Sequence, residues 1–207
     1  MALLALSGAN ASTVLDFNGT AGSSANTGNN TIGSSFTVTT SGLSITHLGV
    51  QDVNIATANA GTDGFTSSIT VSLWTGNGAT LLGSAVVTGT ETLVGSYRFL
   101  ELTNPISLTS GSSYLIGAYM GGGGERWIEG HPGSRFASGT AGITLNSSNF
   151  AGGNAAPTSV GGTGALVGRW GAANAIIVPE PGAALLGGMG LLGLLRRRRS
   201  QGITFRS

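Results

Sequence analysis

The chain has 207 residues, of which 37 are Gly and 8% are charged, and it contains neither Cys nor Lys. The absence of cysteine excludes disulfide and thiolate chemistry, and the length fits one domain with flanking signals. Residues 1–178 hold four Arg against seven Asp and Glu, while five of the nine Arg lie beyond residue 195, so the body is acidic and argues against a nucleic-acid-binding face.

Residues 1–11, MALLALSGANA, combine a short apolar run with Ala9-Asn10-Ala11, the small-residue pattern of a secretory cleavage site. They are expected to be the back half of a signal peptide, with its charged start upstream of Met1 and the mature chain beginning at Ser12. From there to residue 177 the pattern is β throughout. Short runs rich in Val, Ile, Thr and aromatics alternate with Gly, Asn and Ser clusters. Strands are expected at Thr13–Phe17, Ser35–Thr39, Ser44–Val50, Ser68–Trp74, Leu81–Val87, Tyr97–Leu102, Ser113–Tyr119, Gly142–Leu145 and Ala175–Val178. In the fourth, Ile69, Val71 and Leu73 share one face and Thr70, Ser72 and Trp74 the other. No window before residue 182 keeps a helical apolar period. The expected fold is all-β, a single antiparallel, jelly-roll-like β-sandwich over residues 12–177.

Candidate sites along this body are few. His47, on a face with Ile45 and Gly49, reads as a strand histidine with no nucleophile beside it. Asp52, Asn54, Asn59 and Asp63 surround a turn-rich segment with oxygen ligands of the kind Ca²⁺ accepts, though not at EF-hand spacing; these residue types are also ordinary turn formers. If an ion binds there it is structural, and no other cofactor is expected. Ser68 to Trp74, the Gly76-Asn77-Gly78 turn, Leu81 to Ser84, and the stretch from Pro105 through Tyr114 to Gly117 resemble a bacterial surface β-sandwich of unknown function. The resemblance spans about Gly42 to Met120.

After Gly121 to Gly124 comes the most polar cluster, Glu125-Arg126-Trp127-Ile128-Glu129-Gly130-His131. Glu125 and Glu129 are an unpromising glycosidase pair, because on one strand face they stand about 13 Å apart at ~3.3 Å per residue. A single His makes a metal site weak. Trp127 could instead stack on a sugar ring, with Glu125 or Arg126 bonding hydroxyls; the plainer alternative is a loop whose Trp covers the edge of the fold. Residues 151–165, mostly Gly, Ala, Asn, Ser and Thr, are expected to be a long loop. Neither G-x-S-x-G nor a phosphate-binding loop is present, so the chain is expected to be non-enzymatic.

The end of the chain has a different character. In Val178-Pro179-Glu180-Pro181, the stretch from Pro179 to Pro181 reads as an extended, water-exposed tripeptide that neither helix nor sheet absorbs, since two prolines fix φ and remove donors. Residues 182–195, GAALLGGMGLLGLL, carry no charge; Leu185, Leu186, Leu191, Leu192, Leu194 and Leu195 are the large apolar side chains. As a helix these residues span roughly 21 Å at ~1.5 Å each, short of the ~30 Å hydrocarbon core, a deficit that bilayer thinning and snorkelling arginines can cover. Arg196, Arg197, Arg198 and Arg199 follow as a stop-transfer cluster that stays in the cytoplasm, and residues 200–207 form a short tail.

Motif, apolar span and arginines, in this order over residues 178–199, resemble the PEP-CTERM sorting signal of Gram-negative bacteria that make exopolysaccharide. The resemblance implies export across the inner membrane, transient anchoring by the transmembrane helix, and recognition of the Pro-Glu-Pro motif by an exosortase. Release to the cell surface or extracellular matrix would follow. For the body three alternatives remain beside a matrix or structural role. A carbohydrate-binding module acting on exopolysaccharide needs a solvent-facing aromatic among Trp74, Tyr119, Trp127 and Trp170. A glycoside hydrolase needs two acids about 5–9.5 Å apart. An ice-binding protein needs a flat Thr array, for which Thr37-Val38-Thr39 is a single unit.

Overall fold

The structure is a computed structural model and describes residues 11–17, 24–25, 28–54, 59–60, 67–121, 127–128, 136–162 and 167–180. In chain order the strands are β1 (Ser12–Thr13), β2 (Leu15–Phe17), β3 (Ser24–Ala25), β4 (Asn30–Val38), β5 (Leu43–Gln51), β6 (Val53–Asn54), β7 (Asn59–Ala60), β8 (Ile69–Thr75) and β9 (Leu81–Val87). They continue with β10 (Thr92–Val94), β11 (Tyr97–Leu108), β12 (Ser113–Tyr119), β13 (Trp127–Ile128), β14 (Phe136–Ser138), β15 (Ile143–Gly152), β16 (Ser159–Gly162) and β17 (Ala173–Pro179). Among the described residues the fold is all-β, without a helix.

Two large antiparallel sheets carry it. One has five strands in the order β1-β17-β5-β11-β10, the other six in the order β16-β15-β4-β12-β8-β9. Alternation sets their inner faces. Ile32, Phe36 and Val38 of β4, Val71 and Leu73 of β8 and Ile116 of β12 meet Ile45, Leu48 and Val50 of β5 and Ile177 of β17 in one continuous core. Each such side chain contributes about 1.5–3 kcal/mol of burial. Phe36 and Tyr114 stack across β4 and β12 at 5.6 Å.

The outer face of the six-stranded sheet is hydroxyl-rich but covered in part by residues 153–158. Thr31 Oγ1 donates to the Gly153 carbonyl at 2.7 Å, and the space above Gly117 is filled by Thr31 and Pro157. Beside them the hydroxyls pair across strands: Ser35 with Ser147 at 2.6 Å and Thr37 with Ser113 at 2.8 Å. The expected long loop at 151–165 is thus corrected in two places. β15 runs on to Gly152, and Ser159–Gly162 is an edge strand paired with β15. Gly161 belongs there because the ring of Trp170 lies directly on it, leaving no room for a Cβ.

Candidate functional site

The C-terminal motif is where sequence and structure diverge most. Ile176, Ile177 and Val178 are β-branched and continue as strand, and pairing with β5 persists through Val178↔Ser44 to Pro179↔Leu43. The next amide is paired as well: Glu180 N–H donates to the Gly42 carbonyl at 2.8 Å. In an antiparallel ladder alternate residues face the partner strand, so the nitrogen of Pro179 turns to the opposite side. There, among the described residues, β1 pairs with Ile176 and Ile177 and not with Pro179, so the missing donor breaks no described ladder bond. Val178, Pro179 and Glu180 therefore belong to the folded body. The expectation that no sheet absorbs Pro179 and Glu180 is corrected, although Pro179 stays exposed to water, and the folded body reaches past residue 177 through Glu180.

The Glu180 side chain is held too. Ser44 Oγ donates to its Oε1 at 2.8 Å, and the hydroxyl of Ser107 lies beside it, 3.5 Å from Ser44 Oγ. Ser44 lies opposite Val178 on one side and Ser107 on the other, so β5 and β11 build a two-hydroxyl cradle beside the end of β17. The two hydroxyls, Ser107 first and then Ser44, lower the carboxyl pKa below its ordinary value against a smaller opposing effect of burial. Neither serine stands out in sequence, since each reads as an ordinary polar strand position; only the register brings them together.

Ser107 also lines a cleft of about 580 Å³ with Thr75, Asn77, Leu82, Ile106, Thr109, Ser112, Ser113 and Tyr114. The Tyr114 hydroxyl accepts a bond from the Thr109 amide at 2.8 Å, which leaves its O–H able to donate. No charged side chain lines this cleft.

The other predicted sites fare differently. Trp127 is in the core, 1% exposed, so it is not a stacking platform, and its neighbours Glu125 and Arg126 lie outside the described residues. Trp74 is buried as well. Trp170 is half-buried but occupied: Arg169 lies 5.6 Å from its ring centre and Phe150 meets it edge-on at 5.9 Å. Tyr119 donates its hydroxyl to Asn29 Oδ1 at 2.6 Å.

Of the Ca²⁺ candidates, Asp52 is fully buried and its Oδ2 accepts from Arg98 Nε at 2.7 Å. Arg98 also donates to the Glu91 carbonyl at 2.8 Å. Asn54 ends β6, its side chain outside the described set, as is Asp63. Among the described residues no three His, Cys, Asp or Glu side chains are grouped to hold a metal. No described helix is long and apolar enough to cross a membrane; Pro181, the leucines from Leu185 to Leu195 and Arg196 to Arg199 lie outside the described residues. Against known protein families, characterised proteins and solved structures, the chain matches none.

Proposed function

We propose that this chain is an exported, non-enzymatic protein of the cell surface or extracellular matrix, whose jelly-roll-like β-sandwich is held transiently at the inner membrane by a PEP-CTERM tail and released by an exosortase. The observation that carries it is the uninterrupted order of Val178-Pro179-Glu180-Pro181, a 14-residue uncharged apolar run and four arginines. The pairing of the last strand through Pro179 supports it, because the motif then continues directly from the folded body into the apolar run. Comparing wild type with Glu180→Ala by fractionation of an exopolysaccharide-producing host tests it. Wild type is expected in the matrix and the variant in the inner membrane; if both partition identically, the motif is not a sorting signal.

A carbohydrate-binding role is the second reading, favoured by the uncharged hydroxyl cleft around Tyr114 rather than by any tryptophan. Neutral polyols suit such a lining, which offers donors and acceptors over the apolar Leu82 and Ile106. Tyr114→Phe keeps the ring stacked on Phe36 and removes one hydroxyl, so it should weaken retention on neutral polysaccharide. Equal retention of both proteins would discard this reading.

A further inference from the structure

Peptide-processing enzymes commonly take their substrates as extended strands and read them through main-chain hydrogen bonds and side-chain pockets. On this chain those groups are already engaged around the motif. Val178 and Pro179 are paired with Ser44 and Leu43, the Glu180 amide is bonded to Gly42, and the Glu180 carboxylate accepts from the hydroxyl of Ser44, which has Ser107 as its neighbour on β11. Main chain and side chain of the motif's only charged residue are thus bound by the body that the motif is meant to release.

We propose that the folded body is itself a latch on the sorting motif: the cradle of Gly42, Ser44 and Ser107 holds Glu180 docked, and the C-terminal end of β17 must lift from β5 before a processing enzyme can engage it. The latch rests on the sorting function proposed above. Geometry makes it reversible. Among the described residues the strand beyond Ile177 is paired on one side only, so Val178 to Glu180 can peel away from β5 without disturbing the core contacts of Ile177. Sorting would then be slow for a molecule whose tail is docked and fast for one in which it has frayed.

The test uses the full-length chain and two readouts, one of which is independent of any enzyme. Ser44→Ala/Ser107→Ala removes both hydroxyls, Ser107→Asp places a carboxylate against Glu180 at an exposed position that tolerates it, and Ser107→Thr keeps a hydroxyl as control. In detergent, hydrogen exchange at the Glu180 amide should rise roughly 3–10-fold in the double variant, the scale of losing net hydrogen bonds, and should rise in Ser107→Asp, but not in Ser107→Thr. In the producing host, pulse-chase should show the tail lost several-fold faster in the same two variants. Unchanged exchange would overturn the proposal, because the serines would not be holding Glu180. Faster exchange with unchanged processing would overturn it as well, while leaving the sorting function standing. If no protein, wild type included, loses its tail, the sorting function fails and takes the latch with it, and exchange still shows whether Glu180 docks.

Discussion

Replacing Arg98 by Met should be among the most damaging single changes to this body that touch no apolar core residue. Arg98 has a nearly buried side chain, 12% exposed, and bonds the carboxylate of Asp52, which is 0% exposed, at 2.7 Å. Met fills most of the volume but leaves a buried negative charge without its cation. Breaking a buried pair from one side costs about 3–5 kcal/mol. For a body of this size, 1 kcal/mol moves Tm by about 2–4 °C, so the expected drop is roughly 6–20 °C. Converting Asp52 to Asn in the same protein removes the stranded charge and should recover much of the loss, giving a clear coupling in the double-mutant cycle. Thermal unfolding of wild type, Arg98→Met, Asp52→Asn and the double variant by circular dichroism is sufficient. A single variant within about 1 kcal/mol of wild type, or additive effects, would refute the claim that this pair is a buried, coupled unit. The same melts with excess Ca²⁺ or EDTA should coincide; a Tm lowered by EDTA would show that an ion, not Arg98, is what the segment around Asp52 depends on.

Three further outcomes follow from the packing and titration of named groups. Gly33 faces Gly117 across β4 and β12, and a Cβ there would strike the main chain of Ile116 and Gly117; Gly33→Ala should destabilise by at least the ~1–3 kcal/mol typical of overpacking, read as a lower urea midpoint. The Tyr97 hydroxyl donates to the Gly171 carbonyl at 2.7 Å, and burial, with the charge of Asp16, raises its pKa well above the usual phenol value. Its contribution is therefore complete below the ordinary phenol range and lost as pH rises through it, so Tm should fall more steeply above about pH 10 in wild type than in Tyr97→Phe. Glu180 has the opposite sign: its lowered pKa means that docking is complete above the ordinary carboxylate range and is lost as pH falls through the folded value. Exchange at its amide, corrected for intrinsic chemistry, should accelerate on acidification in wild type and not in Glu180→Gln.

Regular alternation made most strands legible. Leu81–Val87 and Ser113–Tyr119 are the strands their residues describe, and Ile69, Val71 and Leu73 form the buried face their period implies. Glycine misled at the ends. Asn30 to Ser34 reads as turn, yet it is the first half of β4, because Gly33 is what lets β4 approach β12. Ser159–Gly162 reads as loop and is an edge strand, because Gly161 makes room for Trp170. β11 continues past Leu102 to Leu108 with Pro105 tolerated where the register with β5 slips between Glu101 and Ile106. Composition signals a Trp without its environment, so Trp127 could be read as a platform when it is a core residue. The candidate site was half visible: the motif is plain in sequence, whereas the cradle that holds Glu180 depends on the pairing of Ser44 with both Val178 and Ser107.

The measurement closest to the central claim is the intact mass of the protein recovered from the extracellular matrix of a host that makes exopolysaccharide. Sorting through the Pro-Glu-Pro motif predicts a chain ending near Pro181, without the apolar run and Arg196 to Arg199. Matrix protein that still ends at Ser207, or protein found only in the cytoplasm, would contradict it.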